Sequence, residues 1–335
     1  MIRWGLFRFD PEVAHHLSMH ALRVAERCAL LRLAYPADPP RPPVEVLGLK
    51  FPNRIGLAAG LDKAGDTIDA LGRLGFGCIE IGTFTPRPQP GNPKPRVFRL
   101  IDHEAIINRM GFNNAGIAAG VANARRARTY QGVIGFNIGK NKDTPNDDAA
   151  ADYLACLRQA YPVADYIAVN LSSPNTPGLR ELQGPDACAR LLATLKREQA
   201  SLAAEHGKHV PLLFKVAPDL DDAHIRELAA VFLSGGLDGL IATNTTLDRD
   251  AVVGHPRAAE AGGLSGRPEF KKSTAVLQAF ASHLGGRIPI IGVGGISSLD
   301  DAREKLRAGA TLVQVYTAFI YQGPGLIRRL ARELA

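Results

Sequence analysis

From about residue 55 onward, eight short apolar runs alternate with helical stretches. The runs are rich in valine and isoleucine and lie at 55–59, 78–82, 133–138, 166–171, 212–216, 239–243, 289–293 and 312–316. Because their apolar residues are continuous rather than alternating, they are typical of strands covered on both faces, as in parallel sheets. Helical stretches follow several of them, for example at 186–206, 222–234 and 299–308. Eight such units predict an α/β fold, a (β/α)8 TIM barrel, with a doubly wound open sheet as the alternative.

The first 44 residues differ from this repeat. Apolar residues recur at helical spacing over 11–33, after a helix start at Asp10-Pro11-Glu12 that combines a cap, a proline and an acid. The pattern predicts an interfacial amphipathic helix, with a helix packed on the barrel as the alternative. We therefore divide the chain into an N-terminal helical segment with a proline-rich linker, 1–44, and the barrel, 45–335. Residues 44–54 are expected to form a hairpin that closes the bottom of the barrel.

Composition narrows the classes of function. The net charge is +7, but lysine and arginine are scattered, which disfavours a nucleic-acid partner. The four cysteines lie far apart without a CxxC pair, and His15, His16 and His20 lack an acidic or cysteine partner at a usual spacing. No metal site is therefore expected. No apolar run approaches 18 residues, so no membrane-spanning helix is expected, and no signal peptide is recognised.

Polar residues stand at the end of every predicted strand, which is where barrels of this type place their active sites. In strand order they are Asp62 and Lys63; Thr83; Asn137, Lys140 and Asn141; Asn170 and Ser173; Lys215, inside its run; Thr243 to Thr246; Gly294 and Gly295; and Tyr316 and Thr317. Three long connections, at 83–114, 172–185 and 245–270, are expected to be functional because long ordered loops in compact domains usually are.

The stretch 170–179 is the most informative of these strand ends. Pro174 and Pro177 stiffen it, so its amides and hydroxyls could grip a planar polar ligand and move a proton. An ordinary polar loop is the alternative. Gly294-Gly295, together with Tyr316-Thr317 after the next strand, predicts a phosphate site. The glycines do not form a GxGxxG fingerprint, which disfavours a nicotinamide domain.

Lys215 lies within an apolar run and needs an anionic partner, because an unpaired buried ammonium is costly. A flavin would supply one, since its N1–C2=O edge becomes negative on reduction; a Schiff-base lysine is the alternative. The nearby asparagines suit a planar imide or uracil-like ring, whose edge carries donors and acceptors.

These motifs resemble those of the dihydroorotate dehydrogenases, specifically the quinone-linked, membrane-associated class 2. The matching segments follow one another in the same order along essentially the whole chain, at 10–15, 56–63, 108–114, 137–141, 170–179, 215–219, 242–246, 262–268 and 291–296. The resemblance implies FMN-dependent oxidation of (S)-dihydroorotate to orotate in pyrimidine (UMP) biosynthesis, with ubiquinone as electron acceptor. It also implies that Ser173 is the base that takes the C5 proton while C6 passes a hydride to flavin N5. The cytosolic classes carry cysteine at that position, so Ser173 favours the quinone-linked class.

The resemblance also assigns binding roles to individual residues. Substrate contacts fall on Lys63, Asn108, Arg109, Met110, Gly111, Phe112, Asn170, Asn175, Asn244 and Thr245. FMN contacts fall on Ala59, Gly60, Leu61, Asp62, Lys63, Thr83, Asn137, Asn170, Lys215, Thr243, Gly266, Gly295, Tyr316 and Thr317. The proton relay falls on Thr176 and Phe112, and the polar positions of a quinone tunnel fall on His15, Arg99 and Tyr316.

In this family the N-terminal helices form a tunnel that opens toward the bilayer. The resemblance therefore implies peripheral contact with the cytoplasmic face of a bacterial inner membrane, since the transit peptide and spanning helix of mitochondrial members are not recognised here. A monomer or weak homodimer is expected. Two other functions stay open: a different FMN barrel enzyme, such as a dihydrouridine synthase acting on RNA, and a non-catalytic peripheral membrane protein.

Overall fold

The computed structural model describes residues 5–36 and 41–334. Its strands are β1 (Val44–Val46), β2 (Leu49–Phe51), β3 (Ile55–Leu57), β4 (Cys78–Phe84), β5 (Val97–Leu100), β6 (Ala105–Asn108), β7 (Val133–Ile138), β8 (Tyr166–Asn170), β9 (Leu212–Val216), β10 (Gly239–Ala242), β11 (Gly263–Gly266), β12 (Ile290–Gly292) and β13 (Leu312–Val315). Its helices are α1 (Pro11–Arg27), α2 (Leu30–Ala34), α3 (Ile68–Arg73), α4 (Ile117–Ala124), α5 (Ala149–Ala160), α6 (Pro185–His206), α7 (Asp222–Ser234), α8 (Phe270–Leu284), α9 (Leu299–Arg307), α10 (Thr317–Gln322) and α11 (Pro324–Glu333).

Eight parallel strands close into a barrel in the order β3-β4-β7-β8-β9-β10-β12-β13. Every residue of β8 and β9 is buried, as continuous apolar runs require when helices cover the sheet from outside. The register pairs Asn170 with Lys215 and Gly82 with Asn137, so the polar strand ends meet at one rim. The predicted (β/α)8 barrel is confirmed, and the open sheet is excluded.

A hairpin of β1 and β2 covers the opposite end of the barrel, as predicted. The two strands pair antiparallel, with Val44 opposite Phe51. The Phe51 ring is fully buried in a cluster with Cys78, Val133 and Tyr166, which are the first residues of β4, β7 and β8. The barrel is therefore closed at its amino end and open at the rim that carries the polar residues.

Two of the three long connections contain strands that the sequence pattern does not reveal. β5, β6 and β11 form an antiparallel sheet beside the barrel rim, with β6 in the centre. β5 follows a proline-rich stretch, and β11 has the sequence Gly-Leu-Ser-Gly, which lacks the β-branched residues typical of strands. The sheet has its own small core, which includes Phe98, Ile107 and Leu264.

Residues 11–34 form two helices rather than the single helix expected over 11–33. The chain turns between them at Ala29, whose φ of 58° lies in the left-handed region and ends the first helix. The predicted cap is present: Asp10 Oδ1 accepts hydrogen bonds from the N–H groups of Glu12 and Val13, at 2.9 and 3.1 Å. Arg23 binds Asp66 at 2.9 Å and ties α1 to the barrel.

Much of the apolar surface of these two helices faces outward. Leu17 is 49% exposed and Leu33 is 82% exposed, whereas Ala14, Met19 and Leu31 are buried. The pair therefore packs on the barrel through one side and presents a second apolar side to its surroundings. Within the described ranges, no helix combines the length and apolar character needed to span a membrane.

Candidate active site

A single cavity of about 980 Å³ runs from the barrel rim to α1. Its walls come from the strand ends, the three-stranded sheet and the inner side of α1. The volume is at the upper end of the range for small-molecule sites, and is large enough for more than one ligand group. Apolar side chains such as Leu17, Met19 and Leu22 line the part beside α1, and amides, hydroxyls and lysines line the part at the rim.

Most of the predicted site residues line this cavity. They are His15, Ala59, Gly60, Leu61, Lys63, Thr83, Arg99, Asn108, Met110, Gly111, Phe112, Asn170, Ser173, Asn175, Lys215, Thr243, Asn244, Thr245, Gly266, Gly295, Tyr316 and Thr317. They come from seven of the eight strand ends, since β7 contributes none, and from β5, β6, β11 and α1. Residues that are more than 300 positions apart in sequence therefore face one space.

Buried and half-buried amides are fixed at the rim by hydrogen bonds to one another. Asn170 Nδ2 donates to Thr83 Oγ1 at 3.3 Å and to Asn137 Oδ1 at 3.2 Å. Asn244 Nδ2 donates to Asn170 Oδ1 at 3.3 Å. Asn175 Nδ2 and Asn108 Oδ1 are 3.4 Å apart. Because every one of these contacts is a donor meeting an acceptor, the network fixes which face each amide can offer a ligand.

The loop after β8 holds Ser173 in a buried position that faces the cavity. Ser173 Oγ accepts a hydrogen bond from the Asn175 N–H at 3.3 Å. Arg180, which the sequence reasoning missed, anchors the loop: its guanidinium donates to the Ser172 and Thr245 carbonyl oxygens at 3.0 and 2.9 Å. It also pairs with Asp219 at 2.9 Å. The sequence could have pointed to Arg180, because it is the first arginine after Ser173 and lies in the same long connection.

Two titratable groups, His15 on α1 and Lys63 at the rim, have pKa values shifted away from their charged forms. Burial, with a contribution from the Lys63 charge, lowers the pKa of His15 to about 3, so the imidazole is neutral. Burial also lowers the pKa of Lys63 to about 8, although Glu12 opposes the shift. Lys63 Nζ donates to the Gly60 carbonyl at 2.6 Å. At neutral pH the Lys63 side chain is therefore still mostly protonated, and its positive charge can bind an anionic partner.

Lys215 has a protein partner that the sequence reasoning missed. Glu80, on β4, lies inside the barrel with its Oε1 3.5 Å from Lys215 Nζ. Glu80 also accepts hydrogen bonds from Asn137, Tyr166 and Gln314. Like Lys215, Glu80 lies in an otherwise apolar strand, and this position could have pointed to it. Opposite charges that are buried in one barrel tend to pair, because an unpaired buried charge is costly.

The rim at β12 and β13 has the features of an anion site. Gly294 and Gly295 have φ values of 101° and 75°, in the region that favours glycine. A Cβ at Gly295 would lie 2.5 Å from the Phe270 backbone, so no other residue fits there. The Thr317 hydroxyl, which donates to Ser265 Oγ at 2.8 Å, lies at the start of α10.

Four predicted residues do not line the cavity. Asp62 accepts hydrogen bonds from the N–H groups of Gly65, Asp66 and Thr67 and so shapes its own loop; burial raises its pKa to about 6. The Arg109 side chain turns away because it pairs with Glu260 at 2.7 Å. Asn137 lies beneath the cavity, where it holds Asn170. Thr176 is buried, and its hydroxyl oxygen has no hydrogen-bond partner among the described residues.

A second buried carboxyl, that of Glu269, lies in the cavity wall beside Gly294. Its Oε1 has no hydrogen-bond partner among the described residues, and burial holds its pKa well above the usual range. Lys305 is buried nearby, where its Nζ donates to Ser273 Oγ at 2.7 Å, and burial lowers its pKa to about 7. Neither residue carried a motif in the sequence, so both were missed.

A buried ion pair joins α1 to the barrel rim. Glu12 binds Arg96 through two contacts of 2.6 and 3.1 Å, and both side chains are almost fully buried. Arg96 also donates to the carbonyl oxygens of Pro90 and Asn92. Asn92 in turn donates to the carbonyl oxygen of Asn175 at 3.1 Å, so the helix is connected to the loop that carries Ser173.

Comparison with known proteins identifies the family. The family model described as dihydroorotate dehydrogenase matches residues 43–335. A dihydroorotate dehydrogenase (quinone) from Akkermansia muciniphila is 64% identical, over 98% of this chain and 94% of its own length. One from Marinobacter nauticus is 56% identical, over 100% of this chain and 98% of its own length. This chain belongs to the quinone-dependent dihydroorotate dehydrogenase family.

Solved structures agree with this assignment. Ligand-free DHODH from Eimeria tenella superposes with a TM-score of 0.88 at 41% identity, covering 97% of this chain and 94% of that one. The same protein in complex with ferulenol also gives 0.88, at 38% identity, covering 99% and 93% of the two chains. As a dihydroorotate dehydrogenase, the chain is an oxidoreductase. Within the part of the chain that the structure describes, no group of three or more His, Cys, Asp or Glu side chains could hold a metal ion.

Proposed function

We propose that this dihydroorotate dehydrogenase oxidises (S)-dihydroorotate to orotate in pyrimidine biosynthesis, with FMN as cofactor and ubiquinone as the final electron acceptor. The observation that carries the proposal is the single cavity whose two parts differ in chemistry. Dihydroorotate is a charged, polar molecule and suits the amides and lysines of the rim. Quinone is apolar and suits the part that α1 lines. An enzyme that uses both needs such a cavity.

The residues present fit FMN. The cradle at Gly294-Gly295, where a Cβ at Gly295 would meet the Phe270 backbone, lets backbone N–H groups approach a phosphate closely. Thr317 adds a hydroxyl there, Lys215 offers an ammonium to the ring, and Asn170 offers an amide. When bound, FMN would take a hydride from the substrate and pass the electrons to the quinone.

Several side chains are suited to hold the substrate. Asn108, Asn175 and Asn244 each offer both a donor and an acceptor, which matches the alternating N–H and C=O groups of the dihydroorotate ring. Lys63 supplies a positive charge for the carboxylate. Because Lys63 is removed from bulk water, as its lowered pKa indicates, binding an anion beside it relieves the cost of its burial.

Ser173 is proposed to take the C5 proton. A serine hydroxyl is a weak base in water, so it needs a dry site and somewhere to send the proton. Ser173 is buried, and the Asn175 N–H donates to its oxygen and orients it. Thr176, three positions further on, has a buried hydroxyl oxygen that no described group satisfies, and would serve as the next carrier.

The N-terminal helices are proposed to admit quinone from a membrane surface. Neutral His15 adds no charge to the apolar passage, and Tyr316, whose hydroxyl donates to the Gly60 carbonyl at 3.3 Å, lies between that passage and the rim. The exposed apolar residues on α1 and α2 would contact lipid, which favours peripheral attachment to the cytoplasmic face of a bacterial inner membrane. We expect a monomer or weak homodimer.

Cofactor and product analysis tests the proposal. Purified protein should release FMN, identified by mass, and should convert dihydroorotate to orotate when a short-chain ubiquinone is supplied. NAD and fumarate, supplied as alternative acceptors, should support little turnover. Protein that contains no flavin and gains no activity when FMN is added would overturn the proposal, as would equal turnover with NAD.

A further inference from the structure

We propose that Glu80 is a positioning residue that sets how much of the Lys215 charge a bound flavin experiences, and so lowers the reduction potential of that flavin. The inference rests on the proposed function, because it concerns the FMN site. Glu80 is 0% exposed and lies beneath the cavity, whereas Lys215 lines it. The ligand therefore meets the Lys215 ammonium directly and does not touch the Glu80 carboxylate.

Every contact of the Glu80 carboxyl is with a hydrogen-bond donor or a cation. Oε1 lies 3.5 Å from Lys215 Nζ and accepts a hydrogen bond from Asn137 Nδ2 at 2.7 Å. Oε2 accepts from the Tyr166 hydroxyl at 3.0 Å and from Gln314 Nε2 at 2.8 Å. The two amide partners can only donate through these atoms, and Lys215 is the one ion-pair partner found for Glu80 among the described residues. The carboxylate is thus fixed in place and directed at Lys215.

The consequence for a flavin follows from its change of charge. Reduction places negative charge near N1 and C2=O, so a neighbouring ammonium stabilises the reduced form more than the oxidised form and raises the potential. A carboxylate 3.5 Å behind that ammonium opposes the effect, and in the barrel interior charges interact more strongly than in water. Glu80 therefore holds the potential below the value that Lys215 alone would give.

Glu80 also has a mechanical role, which the test must separate from the electrostatic one. Through Asn137 it orients the amide network, because Asn137 Oδ1 accepts from Thr83 Oγ1 at 2.5 Å and from Asn170 Nδ2 at 3.2 Å. Loss of that orientation alone would weaken ligand binding without a defined effect on the potential. The sign of the change in potential is therefore the discriminating measurement.

The test is the flavin midpoint potential of the full-length holoenzyme, measured by equilibration with reference dyes. Glu80→Gln removes the negative charge and keeps the shape. We expect the reduced flavin to be favoured at least tenfold relative to wild type, which for a two-electron couple is a rise of about 30 mV. Glu227→Gln, an exposed carboxylate on α7, is the matched control and should leave the potential unchanged.

Tyr166→Phe provides a second, opposite test that does not alter a charged residue. The Tyr166 hydroxyl donates to Glu80 and also contacts Cys78 and Gln314, at 3.4 and 3.2 Å. Without this donor, more of the carboxylate charge faces Lys215, so the potential should fall, by less than Glu80→Gln raises it. If Glu80→Gln is isolated without flavin, the potential of Tyr166→Phe decides the question. A potential below that of wild type supports the proposal, and an unchanged or higher potential overturns it.

The remaining outcomes separate the two proposals. Wild-type protein whose flavin is not reduced by dihydroorotate would contradict the proposed function, and the role of Glu80 with it. Wild-type protein that dihydroorotate reduces normally, together with a Glu80→Gln potential that is unchanged or lower, would overturn the role of Glu80 alone.

Discussion

The barrel rim and the N-terminal helices differ in which side chains they bury. At the rim and just beneath it, polar groups such as Asn170, Lys215 and Glu80 are buried and paired, at a cost in desolvation that their hydrogen bonds offset. On α1 and α2, apolar groups such as Leu17 and Leu33 stay exposed. This difference is the basis of our proposal that the rim binds a polar ligand and that the helices contact an apolar partner.

A buried ion pair, Glu12 with Arg96, joins the two regions, and Lys94 also lies 3.5 Å from the Glu12 carboxylate. Through Arg96 and Asn92, the helix is linked to the backbone of the Ser173 loop. The regions are therefore chemically distinct but mechanically joined, and variants can be chosen that affect one, the other, or the joint between them.

The largest effect is expected at the rim. Ser173→Ala removes the proposed base, so flavin reduction by dihydroorotate should slow by about 10²–10⁴-fold, the usual contribution of a positioned base. FMN content and vesicle binding should not change. Ser201→Ala, an exposed serine on α6, is the control for the substitution itself. A near-normal rate of flavin reduction in Ser173→Ala would remove Ser173 from its proposed role.

The next largest effect is expected at the Glu12–Arg96 ion pair, which joins the two regions. Glu12→Ala leaves Arg96 buried without its partner, so the free energy of unfolding should fall by about 3–5 kcal/mol, as measured by urea denaturation. Glu45→Ala, which breaks the exposed pair with Lys50, should cost about 0–1 kcal/mol. Similar losses in the two variants would mean that the Glu12–Arg96 pair does not hold the helices to the rim.

The exposed helix surface should show a smaller effect, confined to lipid and quinone. Val13 and Leu33 are 46% and 82% exposed, and neither lines the cavity. Burying such a side chain contributes about 1.5–3 kcal/mol, so Val13→Asp with Leu33→Asp should weaken vesicle binding at least about tenfold. Val253→Asp, on a barrel loop and 77% exposed, should not weaken it. Equal loss in both proteins would argue against a helix-directed membrane contact.

The smallest effect concerns Glu269, which is buried at the rim without the partner that Glu12 has. Burial raises its pKa, so its contribution to stability is complete below the unfolded-state value near 4.5 and is lost as pH rises through the folded-state pKa. Glu269→Gln cannot ionise. We expect the stability of the variant relative to wild type to increase from pH 5 to pH 8 in paired unfolding curves. A difference that does not depend on pH would show that Glu269 is not buried as an acid.

The barrel and most of the cavity lining could be predicted from sequence because both depend on local signals. Continuous apolar runs predict buried parallel strands, and the polar residue at the end of each run must lie at one rim once the barrel closes. The resemblance to a family then assigned a role to each of those residues. Spacing alone had left the roles of Lys215 and of the 170–179 stretch open.

What the sequence did not reveal depends on contacts between distant residues. Glu80 and Arg180 act through partners, Lys215 and Asp219, that lie far from them in sequence, and the local signals at Glu80 and Arg180 do not identify those partners. The side chain of Arg109 is turned outward by Glu260, which is 151 positions away. β11 pairs with β6 along its whole length, although its own glycines disfavour extended structure.

Double-mixing stopped-flow spectroscopy of the wild-type protein tests most directly whether one cavity serves both partners. Anaerobic mixing with dihydroorotate should bleach the flavin absorbance, and a second mixing with a short-chain ubiquinone should restore it within the time of one turnover. If the reduced flavin is reoxidised no faster after mixing with quinone than after mixing with buffer alone, the assignment of the two partners to one connected site is contradicted.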